Sequence, residues 1–147
     1  MKFHNPETGE VFMNNQDKKR WLSQYREVVA ETERLVLEKE EWRSIAEKVT
    51  PTYSFAPKAS GESSRIATAA EHIAEIDKDL EKQICKRVEL RFAIASAIHS
   101  VPSEKMRYLL ERRYIDGLTW ERIAVDMGYS CMQIWRMHGE ALSQINM

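Results

Sequence analysis

Glycine, proline and cysteine are scarce in this chain: five, four and two among 147 residues. So little glycine and proline argues against long disordered tracts. The two cysteines, Cys85 and Cys131, stand far apart and form no CxxC pair. They read as free thiols in a reducing cytosol rather than as a disulfide framework. No run of about 18 apolar residues is present, so no membrane span is expected. The nearest run, FAIASAI at 92–98, has the length of a core helix. The opening MKFHNPETGE has no apolar h-region, so no secretory signal is expected and the chain is placed in the cytoplasm. An excess of positive charge is missing too. The formal net charge is −1, so any contact with nucleic acid must be local, or weak per subunit.

Catalytic signatures are equally absent. There is no GxxxxGK loop, no HExxH and no Cys/His pairing with zinc spacing. His4, His72, His99 and His138 are scattered, and the carboxylates fall on helix exteriors. Nothing pairs a nucleophile with a base. No enzyme activity, metal or cofactor is expected.

What the chain does have is helical patterning. Hydrophobic residues make up 43% and charged residues 31%, as in a soluble and mostly helical protein. Residues 1–13 stand apart: NPETG, with Pro6 and Gly9, predicts a small β-hairpin or arm with Phe3, Val11 and Phe12 packed on a helix. A long helix is expected from about Asn15 to Val49. Trp21, Tyr25, Val28, Thr32, Leu35, Lys39, Trp42, Ala46 and Val49 follow a heptad seam on it. Residues 50–64, with Pro51, Pro57 and Gly61, read as a loop, and Ser63 or Ser64 as a cap. A second helix is expected over about 65–99. Ile66, Ala70, Ile73, Ile76, Leu80, Ile84, Val88, Phe92, Ala95 and Ile98 are its inward side. Two helices of similar length across one loop predict an antiparallel hairpin. Trp21 and Trp42 are then available to a second subunit.

Pro102 breaks the second helix, and Ser103 is an N-cap for a helix over about 104–115 that Gly117 ends. Thr119 caps a short helix, Trp120 to Met127. Gly128 permits a turn, and Ser130 with Gln133 forms a capping box for the last helix. Ala124, Gly128 and Ile134 stand at i, i+4 and i+10, with Ile123 and Met137 flanking. A helix-turn-helix asks for that order: a small residue at a close crossing, a turn, then a branched plug. An ordinary helical corner has the same packing needs. Ile134, Met137, Ala141, Leu142 and Ile145 are the expected inner stripe. At about 100° per residue, Met132, Trp135, Arg136, Gly139 and Ser143 then fall on the opposite face.

In such a motif that face meets the major groove. Arg136 suits guanine O6/N7 or a phosphate, Gln133 suits adenine, and Met132 and Trp135 suit thymine methyls or sugar. Each has a plainer alternative: capping alone for Gln133, burial for Trp135, packing near the turn for Cys131. Arg112, Arg113 and Arg122 suit phosphates beside the helix, or simply a solvated surface.

RRYIDGLTWERIA, MGYS and QIWRMHGEAL resemble region 4 of sigma-70-type factors. More specifically, they are similar to the small RinA/ArpU-like late-gene transcription activators of phages and prophages of Gram-positive bacteria and their helical relatives. The likeness covers about the last 45 residues. It implies a cytoplasmic DNA-binding regulator in a bacterial host cell, with double-stranded DNA and RNA polymerase as partners. It implies backbone contacts from Arg113 and Thr119, and a recognition surface of Ser130, Cys131, Met132, Gln133, Trp135 and Arg136. Cys131, Met132 and Trp135 stand where charged residues are usual in region 4.

The expected fold is therefore all-α: an arm over 1–13, an antiparallel helical hairpin over 14–100, and a helix-turn-helix domain over 101–147. The expected function is sequence-specific DNA binding for transcription regulation, with a homodimer allowing two weak modules to read two half-sites. The alternative is a non-enzymatic interaction module, a phage packaging subunit or an inhibitor of host machinery, that binds through the hairpin.

Overall fold

A computed structural model describes residues 3–4, 11–48 and 60–147. The expected NPETG turn, Val49 and most of the 50–64 loop lie outside the described residues. Phe3–His4 (β1) and Val11–Phe12 (β2) pair antiparallel, with Phe3 opposite Phe12 and His4 opposite Val11. The rest is helical: α1 (Asn15–Lys48), α2 (Ser60–His99), α3 (Glu104–Leu110), a π-helical turn (Glu111–Ile115), α4 (Trp120–Met127) and α5 (Cys131–Gln144).

The chain forms two compact units, Met1–Glu27 with Arg87–Met147, and Val28–Lys86. In the second unit α1 and α2 run antiparallel, as contacts at falling α2 positions show. Lys39 Nζ meets Asp77 Oδ1 at 2.6 Å, and the Trp42 ring stacks on His72 at 4.1 Å. Trp42 is thus engaged within its own chain rather than free for a second subunit. The seam expected on α1 holds. Tyr25, Val28, Thr32 and Leu35 are buried, and Trp21, Lys39, Trp42 and Ala46 are half-buried. Thr32 is tolerated there because its hydroxyl donates to the Val28 carbonyl at 2.7 Å. Leu22 and Val29, not expected inside, widen the buried stripe.

The expectation for α2 needs two corrections. The helix starts at Ser60, so Ser63 and Ser64 lie inside it and cap nothing. Its expected inner face holds at Ile73, Ile76, Leu80, Ala95 and Ile98, which are buried or half-buried, and fails at the other five. Ile66, Ala70, Ile84, Val88 and Phe92 are exposed, Phe92 at 77%. The buried or half-buried line instead runs Ala69, Ile76, Leu80, Gln83, Arg87, Leu90, Ile94 and Ile98. Steps of three and four keep a seam facing a partner helix, whereas repeated steps of four from Leu80 to Phe92 rotate about 40° each time. The chain keeps the seam, even though that half-buries Gln83 and Arg87.

The first unit holds a denser core. Leu22, Ile94, Ile98, Val101, Leu109, Leu110, Ile123 and Ile134 are wholly buried. Lys18 reaches this interior, and its Nζ donates to the carbonyls of Leu142 at 2.9 Å and Ile145 at 2.7 Å. Both carbonyls lie at the C-terminal end of α5, where, among the described residues, the Leu142 carbonyl otherwise accepts only a tightened bond from Ile145 N at 3.3 Å. Burial lowers the Lys18 pKa. Among the described residues no helix is long and apolar enough to cross a membrane.

Candidate functional site

The last three helices are punctuated by their own side chains. Ser103 Oγ accepts from Met106 N at the start of α3. Residues 111–115 then widen into a π turn, with Asp116 N donating to the Glu111 carbonyl at 3.0 Å. One extra residue in that turn swings Tyr114 inward, where it is buried. Gly117, at φ 73°, closes the segment. A side chain there would also strike the Arg26 guanidinium, within 2.5 Å of an added Cβ. Thr119 Oγ1 accepts from Arg122 N at 3.3 Å and starts α4. Gly128 ends α4 at φ 70° with open space around it, so glycine is needed there for backbone conformation alone. Ser130 and Gln133 cap each other's amides at 3.2 and 2.9 Å and start α5.

Packing follows from those turns. α4 and α3 both pack on α5. Ile123, Ala124 and Ile134 are buried together with Ala141, Leu142 and Ile145. With Ile134 inside, the opposite side of α5 is open over its first turns: Met132 is 71% exposed and Trp135 59%, with Gln133 and Arg136 exposed beside them. Farther along that face Asn15 Nδ2 donates to the Gly139 carbonyl and the Ser143 hydroxyl. The structure therefore brings Met132, Gln133, Trp135 and Arg136 to the first turns of one helix. Trp135 is therefore not buried within its own chain. The Gln133 side-chain oxygen is occupied by its cap, and Cys131 is half-buried.

Other expected residues are engaged locally. Arg113 is half-buried; its Nη1 donates to the Leu118 carbonyl at 2.9 Å, and its guanidinium lies 4.5 Å from the Trp120 ring centre. Arg122 is paired with Asp126 at 3.2 Å, and Arg112 with Asp116 at 2.7 Å. Thr119 and Ser130 serve as caps.

Several residues went unrecognised in the sequence. His138, not Met137, completes the inner stripe of α5, and Met137 is half-buried. The spacing Ile134, His138, Ala141, Leu142, Ile145 carried that signal, but histidine is not counted as apolar. Its Nε2 lies 2.7 Å from the Tyr114 hydroxyl, and its ring packs edge-on against Trp120 at 4.6 Å. Burial, with Lys19 and Arg113 nearby, pushes the His138 pKa down to about 4. In the neutral tautomer protonated at Nδ1, Nε2 accepts from the Tyr114 O–H; burial raises the Tyr114 pKa to about 12. Lys105 and Tyr129 also form a pair, Nζ donating to the phenol oxygen at 3.0 Å. That contact holds the ammonium above its ordinary pKa.

A cleft of about 350 Å³ opens between the start of α3 and α5, with Ser103, Lys105, Tyr129, Gln133, Arg136 and Glu140 on its walls. Among the described residues no cluster of His, Cys, Asp and Glu could hold a metal ion. Chemically, the site offers an apolar, aromatic and cationic surface without a nucleophile and its base. No protein-family model, no curated protein and no solved structure matches this chain.

Proposed function

We propose that α4 and α5 act as a helix-turn-helix and that the protein is a sequence-specific, double-stranded-DNA-binding regulator of transcription. The observation that carries the reading is the open face of α5. Met132, Gln133, Trp135 and Arg136 project from its first turns, while Ile134 anchors the same turns in the core. A helix presented by its N-terminal end suits the major groove. The chemistry there matches base edges and phosphates: a guanidinium, an amide, a thioether and an indole. Capping at both helix starts supports rigid presentation. The same reading makes residues 1–13 a β-hairpin arm, takes the sigma region 4 likeness as its phage regulatory context, and makes RNA polymerase a further partner.

A gel shift on random duplex at low salt tests this. Wild type is expected to shift the duplex at micromolar protein, and Arg136→Ala to weaken the shift. Lys82→Ala, an exposed position in the other compact unit, is the neutral control. A wild type that shifts no duplex overturns the reading.

One observation favours a protein partner instead. Val88 and Phe92 stand four residues apart on α2 and are exposed at 63 and 77%. An interaction module would use such a face. Under that reading Phe92→Ser abolishes partner binding and Arg136→Ala leaves it intact.

A further inference from the structure

Six basic side chains follow Val101, and five of them have a partner. Lys105 meets the Tyr129 hydroxyl, Arg107 the Val101 and Pro102 carbonyls, Arg112 Asp116, Arg113 the Leu118 carbonyl and Arg122 Asp126. Arg136 alone has no hydrogen bond or ion pair among the described residues, and it lies on the cleft between α3 and α5. Lys105 is on the same cleft, and its partner is a neutral hydroxyl. Two cations thus border one concavity with no carboxylate bound to either. Glu140 is the single carboxylate on its walls, and among the described residues it forms no ion pair.

We propose that this cleft holds one phosphodiester group of the DNA backbone, gripped between Arg136 and Lys105. The proposal rests on the DNA-binding reading and assigns that site a division of labour. A guanidinium fork matches two phosphate oxygens, and an ammonium supplies a point charge beside it. The Ser103 and Tyr129 hydroxyls, on the same walls, add neutral donors. Arg136 then fixes the position of α5 along one strand and does not read guanine. Base edges are left to Met132 and Trp135, whose apolar surfaces suit thymine methyls.

The shared chemistry is a tetrahedral phosphoryl oxyanion, and the test separates backbone from free anion. Affinity of the full chain for one duplex is measured across a salt series for wild type, Arg136→Ala, Arg136→Lys and Glu140→Gln. Arg136→Ala is expected to reduce the log–log salt slope by roughly 0.9 and to weaken all single-base-pair variants of the duplex alike. Arg136→Lys keeps the slope, and Glu140→Gln tightens binding. A single neutral methylphosphonate, moved along the duplex, weakens wild type at one cleft position per site, and at that position it weakens Arg136→Ala markedly less, because only Lys105 still meets the phosphate. Loss confined to one guanine position with an unchanged slope overturns the proposal but leaves DNA binding standing. Saturable binding of inorganic phosphate without DNA, lost in Arg136→Ala, overturns it in favour of a free-anion site. A wild type that binds no duplex overturns both readings together.

Discussion

The two compact units are buried to different depths. Among the described residues, every large side chain that is wholly sealed from solvent belongs to Met1–Glu27 with Arg87–Met147. Among those described in Val28–Lys86, the buried residues are Val28, Val29, Thr32, Leu35, Ala69 and Ile76, and only Ala69, the smallest of the apolar ones, is fully closed off. The reason is geometric. Two helices meeting along one seam leave the outer side of each to water, so no residue is surrounded. Short helices crossing at different angles enclose a point from several sides. A large apolar side chain gains most when all its surface leaves water. Stability should therefore be concentrated in the unit that presents the open face of α5. That suits a surface that must keep Met132, Trp135 and Arg136 in fixed positions.

Truncating one core residue in each unit sharpens the contrast most. Ile134→Ala removes a sealed side chain beneath the candidate interface and is expected to cost about 4 kcal/mol. Leu35→Ala opens a site already next to solvent and is expected to cost about 2 kcal/mol, the low end for such changes. Native-state hydrogen exchange reads the two units separately. Ile134→Ala should lower protection across α3 to α5, and Leu35→Ala only within Val28–Lys86. Equal costs, or a loss of protection shared evenly by both units, would break the comparison.

Acid provides the second test, because the sealed unit contains a buried histidine. The His138 pKa in the folded chain is about 4, below its ordinary value of 6.5. The unfolded chain therefore binds the proton more readily. His138's contribution is fully present above pH 6.5 and is lost as pH falls toward 4. The loss is at most about 3 kcal/mol, and the ring's residual contact with solvent lowers it. Protonation would also turn Nε2 into a donor facing the Tyr114 hydroxyl, with the Lys19 and Arg113 charges nearby. Denaturant midpoints of wild type and His138→Gln, followed by tryptophan fluorescence between pH 7 and 4, check this. Wild type should lose stability over that window more steeply than the variant. Parallel curves would mean that His138 does not titrate in the folded chain as its surroundings imply.

What the sequence made legible follows the same division. Local signals carried well: the caps Ser103, Thr119 and Ser130, the left-handed Gly117 and Gly128, and the heptad seam of α1 all act over a few residues. Ile134 inside with Met132 and Trp135 outside followed from one helical period. The misses needed information from elsewhere in the fold. The α2 face was misjudged because apolar Ile84, Val88 and Phe92 outweighed Gln83 and Arg87, although the latter keep the seam's register. Lys18 was invisible as a cap because its two acceptors lie more than a hundred residues away. The pairing of five of the last six cations depended on which carboxylates and carbonyls the turns brought near. That pairing is what singles out Arg136.

A polar contact within Val28–Lys86 is the smallest test and bounds the comparison from the other side. Lys39 meets Asp77 at 2.6 Å, with side-chain exposures of 23% and 50%. A pair this open to water exchanges hydration for Coulomb energy at little net gain, and salt screens it further. Asp77→Asn is therefore expected to cost about 0.5 kcal/mol at low salt and less at high salt. Thermal melts at two salt concentrations suffice, read by hydrogen exchange in Val28–Lys86. A loss several times larger would show that one seam ion pair matters as much to Val28–Lys86 as a sealed side chain does to the other unit. In that case the stability of the long hairpin comes from polar specificity along α1 and α2, and depth of burial alone does not rank the two units.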